Sequence, residues 1–446
     1  MEPTGLSPFD IAAILIFATT VLAYLNYHLL HLPPAIALTL MGSLAALAVI
    51  ALDHAAPELM ALEQLRGFLD RISLRATLLN GVLSFLLFAL ALQVDFPVLR
   101  RNVWQVASLS SVSVVLSALL IACGFWLVAD WLGLGMPFVW CLVFGALISP
   151  TDPTAVEGVT ENARMPVSLK ATLAGESLFN DGVAIVLFSL AVTAALAPSS
   201  YSWEAALLLF AREALGGALF GLAIGWLALQ AVRRIDDYKI EVMISLAVVL
   251  GGYTLAQTLH VSGPVCAAMS GLIFGHHGVE QSMSRETRSY MVKFWVLIGD
   301  ILNAVLFLLV GLELAASPAP SWLLAVAALA AIPIALVARL ISTVLPLGLL
   351  RKVTTAPPIA FDILIWAGAR GGVSIALALS VPRGEYYPLI FAATYAIVVF
   401  TVLVQGITLG PLIRARQAAD ASMPPPVLPS ASPSAPPSAK SPPNSA

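Results

Sequence analysis

Apolar stretches of about 20 residues, the length at which a helix crosses ~30 Å of bilayer hydrocarbon, recur thirteen times along this chain. They cover approximately residues 9 to 31, 34 to 52, 78 to 97, 103 to 128, 137 to 158, 168 to 196, 204 to 232, 238 to 258, 261 to 277, 291 to 315, 321 to 349, 357 to 381 and 386 to 413. Backbone inside a bilayer must satisfy its own hydrogen bonds, so each stretch is read as a helix and the chain as an all-α polytopic membrane protein. Of the 446 residues 59% are hydrophobic and 11% charged, against roughly 25% charged in a soluble domain, which excludes a single soluble globule. Residues 1–8 carry no Lys or Arg, so the first segment lacks the basic start of a cleaved signal peptide and is expected to be retained.

Short loops rich in Lys and Arg stay on the cytoplasmic side. Alternate loops divide these residues fourteen to four: Arg100, Arg101, Arg164, Lys170, Arg233, Arg234, Lys239, Arg285, Arg288, Lys293, Arg351, Lys352, Arg414 and Arg416 face Arg66, Arg71, Arg75 and Arg383. The asymmetry puts the N-terminus outside and the C-terminus in the cytoplasm. Residues 1–416 form the expected membrane domain, and 417–446 a Pro/Ser/Ala-rich tail that has too little apolar surface to fold. No basic face exists for nucleic acid, whose binding depends on clustered cations. Cys123, Cys141 and Cys266 lie in apolar stretches without metal-ligand spacing and are read as packing residues.

Two segments cannot be continuous helices. The fifth contains Ser149-Pro-Thr-Asp-Pro-Thr154, where each proline removes a donor and disfavours helix in the residue before it. The twelfth contains Gly368-Ala-Arg-Gly-Gly372. The breaks are seven segments apart, as expected for two inverted six-helix repeats joined by one helix. Paired discontinuous helices in such repeats mark the midplane ion site of a transporter; two kinks kept for packing are the alternative.

A charge at the bilayer centre costs at least ~2.5 kcal/mol, so it is functional or paired. The candidates are Asp152, Glu176, Asp181, Asp300, Arg339 and Arg370. Segment 6 reads Gly175-Glu-Ser-Leu-Phe-Asn-Asp-Gly182, and i, i+4 pairs share a helix face. Ser177 and Asp181 form one stripe, half a shell of hard oxygen ligands for a monovalent cation; Glu176 and Asn180 form the other. Arg370, in the opposite break, is the expected counter-ion of Glu176 because guanidinium stays charged when buried, and this pair is open to a purely structural reading. Asp152 either caps a half-helix or binds the ion. Asp300 is a possible accessory residue or part of a polar network between helices, Arg339 is expected to be structural or snorkelling, and His276-His277 are read as solvated loop residues. Proton and metal ion would compete for Asp181.

In these residues the sequence resembles the NhaP/NHE-type monovalent cation:proton antiporters over about 10 to 410. The motifs are Ser149-Pro-Thr-Asp-Pro-Thr-Ala-Val156, Gly175 to Gly182, His260-Val-Ser-Gly263 with Gly271-Leu-Ile-Phe-Gly275, Phe294-Trp295 with Leu302-Asn303 and Leu306-Phe307, and Gly368 to Gly372. The resemblance implies thirteen membrane helices, a homodimer in the cell (inner) membrane, and Asn180-Asp181 as the Asn-Asp pair of an electroneutral one-for-one exchanger without cofactor. It further implies contributions of Thr151, Asp152 and Ser177 to a monovalent-cation site and a Glu176–Arg370 ion pair. One position departs: where many members carry an acid in the third segment, this chain has Ala89.

Sodium/proton exchange, with lithium as a further substrate, is therefore the expected activity, and potassium/proton exchange the alternative. An ion channel could also use intramembrane carboxylates. An intramembrane aspartyl protease is disfavoured because Leu297-Ile-Gly-Asp300 lacks the first glycine of Gly-x-Gly-Asp. The protein is not expected to be an enzyme.

Overall fold

The computed structural model describes residues 7–71, 81–152, 165, 167–197, 202–279, 282–316, 321–350 and 359–422, and every regular element among them is helical. Helix falls on each of the thirteen expected segments. The first three segments give α1 (Pro8–Leu25), α2 (Pro34–Ala55) and α4 (Leu83–Gln93), with α3 (Ala61–Arg71) between them. Next come α5 (Val103–Trp131), α6 (Phe138–Ile148), α7 (Val167–Leu196), α8 (Glu204–Val232) and α9 (Tyr238–Thr258). The C-terminal half holds α10 (Gly263–Ile273), α11 (Arg285–Leu312), α12 (Trp322–Leu349), α13 (Ile359–Trp366), α14 (Gly372–Ser380) and α15 (Tyr387–Phe400). Nine helices among the described residues are long and apolar enough to cross a membrane.

Hydroxyl and carboxylate side chains start several of these helices by accepting a free backbone N–H: Ser262 from Val265 for α10, Ser284 from Thr287 for α11 and Ser321 from Leu324 for α12. Two features depart from the sequence expectation. α3 is amphipathic rather than a loop: Leu65, Phe68 and Leu69 pack against Leu15, Leu306, Leu309 and Ala376, and Arg66 Nε donates to the Ala315 carbonyl at 2.7 Å. The last helix continues through a π turn (Thr401–Gln405) into Gly406–Ser422, so the first residues of the expected tail are helical; 423–446 lie outside the described residues, as do Arg75, Arg164, Arg351 and Lys352.

Lipid offers no hydrophobic drive between helices, so close packing of small residues holds them together. On α8, Gly217, Gly221 and Gly225 lie directly on Ser262, Cys266 and Ser270 at the start and along α10. Gly42 on α2 and Gly311 on α11 meet in the same way, with the Thr39 hydroxyl donating to the Phe307 carbonyl. The large apolar core joins α5, α6, α12, α14 and α15 through Phe125, Phe144, Ala331, Leu377 and Phe391. It encloses the end of α6, at Leu147 and Ile148, where the first break begins.

A Cβ at Gly221 would stand 2.4 Å from the Cys266 carbonyl oxygen, whereas one at Gly251 on α9 would meet nothing within 4 Å. Gly221→Val is therefore expected to lower stability by about 1–3 kcal/mol through overpacking, and Gly251→Ala to leave it unchanged or raised. Unfolding followed in detergent for both variants checks this, and equal stability of the two would contradict the packing assigned to α8 and α10.

Candidate ion site at the crossing of two interrupted helices

The two breaks lie against each other. α6 stops at Ile148 and α13 at Trp366, while α14 begins at Gly372; the second half of segment 5, from 153, lies outside the described residues. The Asp152 N–H donates to the Ala369 carbonyl at 2.8 Å. Arg370 Nη1 donates to the carbonyls of Ser149 (3.0 Å) and Pro150 (2.9 Å), just past the end of α6. Thr401, in the π turn that follows α15, accepts from the Arg370 N–H and donates to its carbonyl, both at 3.0 Å. Gly371 is required here: a Cβ would fall 1.7 Å from Asp152 Oδ2, so only glycine lets that carboxylate rest at the amino end of α14, where helix dipoles favour negative charge.

α7 passes beside the crossing and presents its polar residues in two directions. Glu176 and Asn180, each 1% exposed, turn into the protein. Arg339, from α12, binds Glu176 through both nitrogens, Nη1 to Oε1 at 2.5 Å and Nη2 to Oε2 at 3.2 Å, and donates from Nη2 to the Leu364 carbonyl. The Thr151 hydroxyl donates to Glu176 Oε1 at 3.3 Å and accepts from Asn180 Nδ2 at 2.8 Å. A continuous chain thus runs Arg339, Glu176, Thr151, Asn180. It ends at Asn180 Oδ1, which is buried without a hydrogen-bond partner.

This corrects the expected Glu176–Arg370 pair. Arg370 belongs to a break, so the carbonyls freed in the facing break capture its guanidinium. Arg339 comes from an uninterrupted helix alongside and reaches Glu176 because Gly368 has no side chain; a Cβ there would lie 2.5 Å from Arg339 Nε. Arg339 is 5% exposed, so it does not snorkel. The signal for it was present in the sequence as the second cation inside a span.

Ser177 and Asp181 turn the other way, into a cavity of about 990 Å³ that Asp152 and Asp300 also line. Its walls are α1, α4 and α11, and it extends toward Pro33, Pro34 and Gln93. Three carboxylates and no Lys, Arg or His line it among the described residues. Ala89 is on its wall. The structure therefore brings Ser177, Asp181 and Asp152 to one surface, with Thr151 and Asn180 in the network behind them, Arg370 holding the crossing, and Asp300 on α11. The arrangement offers hydroxyl and carboxylate oxygens to a small hard cation in a space that excludes fixed positive charge.

The sequence model of the family described as "Sodium/hydrogen exchanger, transmembrane" matches residues 15–415. The chain is 41% identical over 409 residues to the Na(+)/H(+) antiporter NhaP of Pseudomonas aeruginosa, covering 91% of this chain and 96% of that protein. It is 32% identical to the Na(+)/H(+) antiporter NhaH of Halobacillus dabanensis, covering 92% and 98%. The fold is that of the sodium proton antiporter MjNhaP1 from Methanocaldococcus jannaschii at pH 8, with a TM-score of 0.71, 19% identity and coverage of 91% of this chain and 97% of that one.

Removing one partner of a buried ion pair leaves an uncompensated charge, at a cost of about 3–5 kcal/mol. Glu176→Ala and Arg339→Ala are each expected to lose stability on that scale, and their double-mutant cycle to show coupling of roughly 0.5–3 kcal/mol, as contacting residues do. The same cycle between Glu176 and Arg370 should be nearly additive. Strong coupling to Arg370 with none to Arg339, measured by unfolding in detergent, would reverse the assignment.

Proposed function

The chain belongs to the sodium/hydrogen exchanger family, and on that premise we propose that it exchanges H⁺ for Na⁺ one for one, with Asp181 as the group that carries each in turn. The protein is a multi-pass membrane transporter and not an enzyme. Sodium is preferred to potassium because the relatives in question are named Na(+)/H(+) antiporters. The observation that carries the reading is the position of Asp181: on the cavity wall, one helical turn beyond Ser177, in a lining with no fixed cation among the described residues.

In this reading the ionised Asp181, the Asp152 carboxylate and the Ser177 hydroxyl hold Na⁺, and protonation of Asp181 releases it. Asn180 supplies a neutral amide where a second acid would add a second proton. Thr151 acts by tying Asn180 to Glu176. Glu176 and Arg339 hold α7 and α12 in register. The broader reading has two inverted six-helix repeats, a homodimer and residues 417–446 as a cytoplasmic tail. It places the protein in the cell membrane with the N-terminus outside. The Lys/Arg distribution then makes the Pro33 and Gln93 end cytoplasmic, and the cavity inward-facing.

Asp181→Asn keeps the size and polarity of the side chain but removes the charge, and is expected to abolish Na⁺-dependent proton flux in proteoliposomes while the protein still inserts and folds. Because protons and Na⁺ compete, lowering the pH on the cavity side should raise the apparent KM for Na⁺ in the wild type. Retained exchange in the Asn variant would refute the assignment.

A single exchanged charge also fixes the voltage response. One H⁺ against one Na⁺ moves no net charge, so the membrane potential, worth ~2.3 kcal/mol per charge per 100 mV, should leave the initial rate unchanged at a fixed ion gradient. Clamping the potential with K⁺ and valinomycin tests this, and a systematic voltage dependence would require a second proton-carrying group.

A further inference from the structure

The cavity holds more ligand oxygen than exchange at Asp181 uses. Thr19, on the cavity wall of α1, is 7% exposed, and its hydroxyl is buried without a hydrogen-bond partner. A helical threonine ordinarily bonds back to the carbonyl four residues before it, as Thr20 does to Ile16 at 2.7 Å. On α11, Asn303 also lines the cavity, and its Oδ1 is buried and unpartnered. Asp300 precedes Asn303 by three residues and so lies on the same face, on the same cavity wall.

Helix register brings these residues to one level. α2 runs parallel to α11, because Thr39 bonds Phe307 while Gly42 lies on Leu308 and Gly311. α1 turns back into α2 through residues 31–33, so α1 and α11 are antiparallel. Leu15 shares a cluster with Leu306; one turn further along α1, Thr19 comes level with Leu302 and Asn303, and Asp300 follows one turn beyond. Opposite them α4 lines the same cavity through Leu86, Ala89, Leu90 and Gln93, none of them charged.

We propose that the Thr19 hydroxyl, the Asn303 amide oxygen and the Asp300 carboxylate form a second monovalent-cation site in the cavity, separate from Asp181, where Na⁺ exchanges part of its hydration shell for protein oxygens before reaching the exchange centre. Hydroxyl, amide carbonyl and carboxylate are the hard ligands such an ion takes. One carboxylate among neutral oxygens matches a single positive charge. The inference rests on the cavity being the route of the ion, not on Asp181 being the exchanging group.

Binding of ²²Na⁺ to the purified full-length protein tests it. Asp181→Asn is expected to retain weak Na⁺ binding, and Asp181→Asn combined with Asp300→Asn to lose it. In proteoliposomes with Asp181 intact, Thr19→Val, Asn303→Leu and Asp300→Asn should each raise the KM for Na⁺ by about three- to tenfold, the scale of one lost ligand, with kcat reduced by less than about twofold. Asp300→Glu should recover most of the affinity. Thr19→Val replaces an unpartnered buried hydroxyl with a methyl of the same shape, so it is expected to fold and keeps the test decisive if a polar variant does not. Absence of residual binding in Asp181→Asn, or an unchanged KM in Thr19→Val and Asp300→Asn, overturns the second site; so does a loss of kcat with KM unmoved, which would leave these oxygens to bound water and a structural role. Exchange persisting in Asp181→Asn would refute the exchange centre alone, while the ²²Na⁺ result would still decide the second site.

Discussion

Two stretches of non-helical backbone cross inside a bundle that has no bulk water to satisfy them, and their mutual hydrogen bonds are the condition for everything around them. Pro153 has no N–H to give the Ser149 carbonyl, and the Ser149 and Pro150 carbonyls both lie past the end of α6. An unsatisfied peptide group in an apolar setting costs roughly 1–3 kcal/mol by mutational measure. Arg370 answers both carbonyls with one nitrogen, and the Asp152 amide is answered by Ala369. Thr401 then closes the account at Arg370 itself. The orientation of the Asp152 carboxylate, and hence one wall of the ion site, follows from this arrangement and from the absent side chain of Gly371.

The intramembrane charges separate into two kinds by what they touch. Glu176 and Arg339 are buried and joined by two bonds, and Arg370 donates through Nη1 to two carbonyls; these define geometry. Asp152, Asp181 and Asp300 all border the cavity. A buried pair is poor evidence of net stabilisation, since desolvation offsets attraction, but it gives a single register between α7 and α12. That register sets which of the two stripes of α7 meets the cavity. Rotation of α7 by one residue would exchange Asp181 for Asn180 and leave a carboxylate inside the Thr151 network.

Most of the fold was legible because its physics is one-dimensional: a 20-residue apolar run, a proline pair and a glycine cluster each act locally. Segment limits, both breaks and the division of α7 into a Ser177–Asp181 and a Glu176–Asn180 face can be read from spacing. The partner of Glu176 could not, because two arginines were available and the choice depends on which carbonyls the opposite break exposes. α3 escaped notice since Arg66 and Glu63 mask an apolar face that becomes visible only when Leu15 and Leu306 are set beneath it. The unpartnered oxygens of Thr19 and Asn303 lie 284 positions apart and acquire meaning only through the antiparallel pairing of α1 with α11.

The same apolar cluster bears on the exchange proposed for Asp181, in which one carboxylate serves two sides of a membrane. The cavity reaches Asp181 from the Gln93 end, while Leu15, Leu306, Leu309 and Ala376 pack together with α3 laid across them. Opening a path on that side means parting α1, α11 and α14 at this cluster, at ~25 cal/mol for each Å² of apolar surface uncovered. The elements involved carry Thr19, Asn303 and the amino end at which Asp152 rests, so parting them also changes the cavity wall. In the proposed exchange, closing one route and opening the other would be coupled through side chains shared between seal and site. Arg66 ties α3 to the seal, at Ala315 just past the end of α11.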